Sequence, residues 1–302
     1  MIIPNAYWLW TNPAIQSIPG GMFLSNPYEY LYIYYLEGIP ASLALATEES
    51  TFIGNWEEDG FSFLFFSYPH DDLVEKIIAR EENLSLIDKY EMTSDEWHGD
   101  KIESYTAGSL VISPPWKIPF VNRPDLTHIL LDPGVVFGTG RHQTTEDCLG
   151  YMEYLCRKEN ISTVVDIGTG TGILALGAAA LGCEQVLALD FNLLAVRTTL
   201  NNIRLNDFQD KILAIQARGE AFMDVPAQLV VANIHYDVMK TLIEAPEFVE
   251  KPWLILSGLL KSEADKVCDR LEEKPVTLVE RISPDGVWNT LLVQGRSVPA
   301  HG

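Results

Sequence analysis

The 302-residue sequence predicts a two-domain α/β chain. A small α+β domain comes first, then a doubly wound, mostly parallel sheet closed by an antiparallel C-terminal hairpin. Three observations predict this. From Ile161 to about Cys268, strand-length apolar runs alternate with helix-length runs, the rhythm of successive βα units. The first of these runs passes into a glycine-rich turn, VVDIGTGTG, at Val164 to Gly172. Before about residue 120 the texture changes to short aromatic runs, and the proline-rich segment SPPWKIP (Ser113 to Pro119) separates the two halves. The expected boundaries are a domain at 1–90, a linker at 91–123 and a second domain at 124–302.

In the first domain, Tyr30 to Leu36 (YLYIYYL), Thr51 to Trp56 and Phe61 to Tyr68 (FSFLFFSY) predict strands. The segment EEDG, Glu57 to Gly60, supplies a hairpin turn between the last two. A helix follows, with Asp71 or Asp72 near its N-cap and Leu73, Val74, Ile77 and Ile78 on one face. Aromatic strands are core more often than binding platform, so this domain alone points to no chemistry. The three prolines of SPPWKIP exclude a regular helix and predict a stiff, extended connector.

Asp132 to Thr145 reads DPGVVFGTGRHQTT, a glycine-rich loop leading into a helix. Thr144 and Asp147 form a capping-box-like pair, and Cys148, Leu149, Met152, Leu155 and Cys156 make a helical apolar face. The segment reads either as a surface loop ending in a cap or as a lid. As a lid, Phe137, Thr139, Thr144 and Thr145 line a ligand.

The glycine-rich turn carries more chemistry. Ile161 to Ile167 is an apolar, β-branched run suited to a buried parallel strand. Gly168, Gly170 and Gly172 let the chain turn sharply and bring bare backbone to a ligand. An alanine-rich helix starts from Thr171, with its N-terminal amides facing the same cleft. The next strand, Gln185 to Leu189, delivers Asp190, placed to accept hydrogen bonds from both hydroxyls of a ribose, with Phe191 beside it. A dinucleotide fingerprint needs glycine at its first, third and sixth positions; the sixth here is Ile173. A carboxylate at Asp166 would repel a pyrophosphate but suit the ammonium of a methionine moiety. The expected cofactor is therefore S-adenosylmethionine rather than NAD.

Strands are expected near 163–167, 185–190, 212–216, 228–233 and 252–257, as five βα units. A hairpin at Val276 to Ile282 and Val287 to Gln294, around SPDG, closes the sheet. Asn233 ends the run VVANI at a carboxyl strand tip, where ligands of open α/β sheets sit. Its amide oxygen can accept from an amine nucleophile and aim the lone pair, so Asn233 is the candidate catalytic residue as well as a cofactor neighbour. Asparagine at a strand end is also a common turn former. Ser257 and Gly258 hold the matching position on the next strand, and His235 reads as incidental to the motif beside it.

Composition bounds the partners. There are 21 basic and 42 acidic residues, a net charge of -21. That sign opposes direct nucleic-acid binding through phosphates and attracts a basic protein or peptide, although it also serves solubility. No apolar run approaches a membrane span, and MIIPNAYWLW lacks the features of a signal peptide. Cys148, Cys156, Cys183 and Cys268 form no Cys-x-x-Cys pair and read as reduced thiols of a cytoplasmic protein. The six histidines have no metal-ligand spacing, so no metal is expected.

Taken together, these segments resemble the PrmA family, the methyltransferases of the eleventh protein of the large ribosomal subunit. The resembling stretches are LLDPGVVFGTGRHQTTEDCL, VVDIGTGTGILALGAAALG, LALDFNLLAVRTTLNNIRLN, VVANI and ILSGLL, in family order over roughly residues 91 to 295. The resemblance implies a Rossmann-like methyltransferase domain using S-adenosylmethionine. Phe137, Thr144, Thr145, Gly168, Gly170, Asp190 and Asn233 would surround the cofactor and the target amine. It also implies a ferredoxin-like N-terminal domain that recognises the ribosomal substrate. The family's tryptophan-rich linker is only partly matched, by DEW at Asp95 to Trp97 and by SPPW ending at Trp116. The resulting expectation is a protein N-methyltransferase acting on lysine or N-terminal amines. The rivals are a methyltransferase of another protein or a small molecule, and a non-catalytic module that kept the fold.

Overall fold

The computed structural model describes residues 26–117, 125–136 and 138–295. Two compact units divide the chain: residues up to Glu103 with Pro114–Ile118, and Ser104–Ser113 with the chain from Pro119 onward.

The first unit follows the order β1 (Tyr30–Glu37), α1 (Ala44–Thr47), β2 (Phe52–Glu58), β3 (Phe61–Phe66), α2 (Asp71–Ile78), β4 (Ser85–Thr93). Its antiparallel sheet runs β2-β3-β1-β4, the split βαβ arrangement of ferredoxin-like domains. The β2–β3 turn is the dipeptide Asp59–Gly60, both residues at positive φ, as a two-residue hairpin requires. His70 caps α2, and Asp71 and Asp72 occupy its first turn, where the helix dipole favours negative charge. Val74 and Ile77 bury against Tyr34, Leu36, Leu64 and Phe66 of the sheet. The helix between the first two strands is only the four-residue α1.

The stretch expected to be a stiff linker carries regular structure. β4 runs on to Thr93, and Thr93 and Glu96 form a reciprocal capping box at the start of α3 (Ser94–His98). Ser104–Ser113 belongs to the second unit: β5 (Tyr105–Ala107) and β6 (Leu110–Ser113) form a three-stranded sheet with β7 (Thr127–Leu130). Ile118 and Pro119 of the proline run lie outside the described residues.

The second unit continues through α4 (Gln143–Glu159), β8 (Thr163–Ile167), α5 (Ile173–Ala180), β9 (Gln185–Asp190), α6 (Leu193–Leu205) and β10 (Ile212–Gln216). It ends with β11 (Leu229–Asn233), α7 (Tyr236–Glu244), β12 (Trp253–Leu260), α8 (Lys261–Glu272), β13 (Thr277–Ile282) and β14 (Trp288–Gln294). The seven-stranded sheet has the order β10-β9-β8-β11-β12-β14-β13, and β14 alone runs against the other strands, antiparallel to both its neighbours. Apolar clusters cover both faces, so the parallel strands are apolar throughout.

One expected helix is missing. Between β10 and β11 there is a 3-10 turn, Gly219–Phe222, rather than a full crossover helix. Gly219 packs so closely on Ile167 that a Cβ there would lie 2.2 Å from its Cγ2. Chain order reverses between β8 and β11, so the cleft beyond their carboxyl ends is the switch point where ligands bind such sheets.

Candidate active site

β8 brings Asp166 and the glycine turn to this cleft. Gly168, Gly170 and Gly172 all have positive φ, and a Cβ on Gly168 would collide with Ile234 at 2.3 Å. The helix expected from Thr171 begins at Ile173, with Gly172 as its left-handed N-cap. Asp166 is buried and uses one oxygen twice, accepting from Thr169 Oγ1 at 2.6 Å and Ala175 N at 3.2 Å. Its other oxygen, Oδ1, is buried without a partner. Burial pushes the carboxyl up to about 7, against the opposing pull of those two hydrogen bonds.

Asp190 ends β9 on the other side of the turn. Its Oδ2 accepts from Gly170 N at 3.0 Å and its Oδ1 from Asn192 N at 2.9 Å. The carboxylate therefore holds the glycine turn in shape, and Phe191 N–H is a third backbone donor to it, against about four acceptor positions. Burial raises its pKa despite these donors. Phe191, next along the chain, is 52% exposed.

The loop before α4, expected as a surface loop or a lid, is fastened to the glycine turn. Thr171 Oγ1 donates to the Gly138 carbonyl at 2.7 Å, tying lid to glycine turn. Gly140, at φ +84, lies against Tyr105, whose hydroxyl would be 1.9 Å from a Cβ there. Thr139 is half-buried, and Phe137 lies outside the described residues.

The expected Thr144–Asp147 capping pair is not formed. His142 is the N-cap of α4, its ring accepting from Thr144 N. Asp147 instead turns inward, accepting from Gln143 Nε2 at 2.8 Å and Thr290 Oγ1 at 3.2 Å.

Thr144 and Thr145 both reach β11, Thr144 Oγ1 lying also 2.8 Å from His142 Nδ1. Asn233 Nδ2 donates to Thr144 Oγ1 at 3.1 Å and to Thr145 Oγ1 at 3.4 Å. Its Oδ1 lies on the other side, toward Gly258, where a Cβ would come within 3.0 Å of it. Ser257, beside Asn233 in register, is buried and shares a 2.6 Å hydrogen bond with Thr290. His235 caps α7 without a side-chain bond.

The model of the ribosomal protein L11 methyltransferase family, PrmA, matches residues 69–296. The chain belongs to this family. It is a methyltransferase of the Rossmann-like class. The "Ribosomal protein L11 methyltransferase" of Thermoanaerobacter sp. (strain X514) is 30% identical over 257 residues, covering 78% of this chain and 81% of that one. That of Lactococcus lactis subsp. lactis (strain IL1403) is 36% identical over 185 residues, covering 61% and 57%. The crystal structure of a ribosomal protein L11 methylase from Lactobacillus delbrueckii subsp. bulgaricus superposes with a TM-score of 0.56 at 28% identity. It covers 64% of this chain and 100% of that one.

Three residues that support this PrmA-family site went unseen in the sequence. On α6, Thr199 Oγ1 donates to the Gly170 carbonyl at 2.9 Å, and Asn202 and the C-cap residue Asn206 hold the main chain at Asp132 and Leu130. Their signal was present as two asparagines four apart in NNIRLN. Asparagine is a weak helix former, and one fully buried inside a helix usually has backbone to satisfy. Among the described residues, no His, Cys, Asp and Glu group could hold a metal. None of their helices is long and apolar enough to cross a membrane. The four cysteines form no disulfide, and the Sγ atoms of Cys156 and Cys183 share a 3.8 Å hydrogen bond.

Proposed function

We propose that this methyltransferase transfers a methyl group from S-adenosylmethionine to amino groups, lysine side chains or the N-terminal amine, of ribosomal protein L11, the protein in its relatives' names. The observation that carries the reading is the tethered amide of Asn233. With Nδ2 held by Thr144 and Thr145, Oδ1 is the atom left to meet an incoming amine.

The residues present fit the cofactor. Asp166 keeps a buried oxygen without a partner at the head of the glycine turn, a match for the ammonium of its methionine moiety. Asp190 keeps acceptor capacity for a ribose hydroxyl beyond its three backbone donors, and the exposed ring of Phe191 stands beside it. Gly168, Gly170 and Gly172 keep side chains out of the cradle, and Thr139, Thr144 and Thr145 stand on the loop side. When bound, the cofactor supplies an electrophilic methyl group on a sulfonium.

What remains for the protein is alignment and exclusion of water. Asn233 Oδ1 accepts an N–H of the neutral amine and turns its lone pair toward the methyl group. An amide takes up no proton, so the proton of the product leaves to solvent. Charge supports a basic protein as acceptor, because the net -21 draws a lysine-rich surface and repels nucleic-acid phosphates. Free thiols accord with action in the cytoplasm.

The test is Asn233→Ala. It should depress kcat on L11 by about tenfold or more and leave S-adenosylhomocysteine affinity within about twofold. Parallel loss of binding and turnover would move Asn233 into the cofactor shell and sink its assignment to the amine.

A further inference from the structure

We propose that His142 is a positioning residue of the methyl transfer, acting on Asn233 through Thr144. This rests on the reading of Asn233 given above. His142, the N-cap of α4, has Nδ1 3.4 Å from the Thr144 backbone N–H and 2.8 Å from Thr144 Oγ1. Nδ1 has a single lone pair, and in the tautomer with the ring hydrogen on Nε2 the nearer group, the hydroxyl, takes it. The Thr144 hydroxyl must then be the donor to Nδ1. Its oxygen keeps only acceptor capacity, which Asn233 Nδ2 uses at 3.1 Å.

The direction of the Thr144–Asn233 hydrogen bond is thereby set from His142. Asn233 presents its NH2 to the threonines and its oxygen to the cleft. Without the histidine acceptor the Thr144 hydroxyl is free to rotate, and its proton can point at Asn233. The amide then gains by flipping, which offers an NH2 to the amine where an acceptor is needed. Trp288 holds the imidazole from the other side, edge-on at 5.0 Å between ring centroids. The ring is exposed, but its position is constrained by the cap and by this contact.

A double-mutant cycle in the full-length chain tests the relay, with L11 as acceptor and S-adenosylhomocysteine as the binding probe. H142A should lower kcat by about fivefold or more, with KM for L11 and probe affinity within about twofold. H142N keeps an acceptor at the cap and should recover kcat to within about threefold of the parent. H142A/N233A should be no slower than N233A alone, because nothing remains to orient. Two independent effects on turnover would instead multiply the losses, and that result overturns the proposal.

N233A measured alone separates the two ideas. A slow N233A beside a normal H142A removes the relay and leaves the reading of Asn233 standing. A normal N233A removes both. If H142A does not fold, T144V breaks the relay one step later and takes its place in the cycle. A readout free of turnover is the Asn233 side-chain amide pair in 15N spectra, assigned by its loss in N233A. It should shift in H142A and T144V and hold in H142N; an unmoved pair in H142A overturns the proposal whatever the acceptor.

Discussion

Asn202 pairs reciprocally with the main chain of Asp132: its Oδ1 accepts from Asp132 N at 2.8 Å and its Nδ2 donates to Asp132 O at 2.9 Å. The same Nδ2 also reaches the Thr171 carbonyl at 2.8 Å. One buried side chain on α6 therefore fastens the root of the lid loop and the glycine turn to each other. Asn202→Ala leaves a buried N–H and two carbonyls short of partners, at a cost of about 2–3 kcal/mol. Urea unfolding should register that loss, with weaker S-adenosylhomocysteine binding as the two loops part. A change below about 0.5 kcal/mol, the size of an ordinary surface substitution, would mean that water replaces the asparagine freely.

Asp190→Ala should weaken cofactor binding by at least about tenfold, since each charge-assisted hydrogen bond is worth roughly 1.5–3 kcal/mol. The structure adds a second cause, because the carboxylate also holds Gly170 N and Asn192 N. Calorimetry with S-adenosylhomocysteine decides. Equal affinity in the variant, or tighter binding of NAD than of S-adenosylhomocysteine by the parent, would refute the nucleoside assignment.

Asp166 predicts a pH dependence of stability. Burial raises its carboxyl to about 7, so the ligand-free native state keeps a proton that the unfolded chain has released. This contribution is present at low pH and is lost as pH rises from about 4 to about 7, a few kcal/mol at most. Asp190 is shifted upward too and adds the same sign. In Asp166→Asn the fall should be shallower, and the ligand-free variant should melt higher than the parent at pH 7. Parallel melting profiles from pH 4 to pH 7 would show that Asp166 stays ionised throughout.

Much of the site was legible because its signals are local. A β-branched run followed by alternating glycines fixes strand, turn and helix start within a few residues, and Asp190 follows by spacing. The rest depended on distant partners. Thr144 read as a cap because threonine is a common cap and histidine is not; only the fold brings Asn233 to claim its hydroxyl. β5 and β6 are three and four residues long and sit against a proline run, too short for a period-2 signal. The crossover after β10 looked like a further βα unit, but Gly219 packs on Ile167 and leaves space for a 3-10 turn alone.

Those short strands decide where the chain can be divided. Ala107, Leu110 and Ile112 belong to the same apolar cluster as Ile129, Leu149 and Ile173. A fragment beginning near residue 120 strips β5 and β6 from that cluster. Losing even one such leucine costs about 2–5 kcal/mol, so this fragment should melt far lower or fail to fold. A fragment from Ser104 onward keeps the second unit's strands and core and should bind S-adenosylhomocysteine with parental affinity. It carries the glycine turn, Asp190, Asn233 and the lid, while the first unit offers none of these. On our reading the first unit selects the protein substrate, and the fragment should methylate L11 at a small fraction of the parental rate while cofactor affinity is unchanged. Methylation of full-length L11 as fast as by the intact chain would show that recognition does not reside in the ferredoxin-like unit.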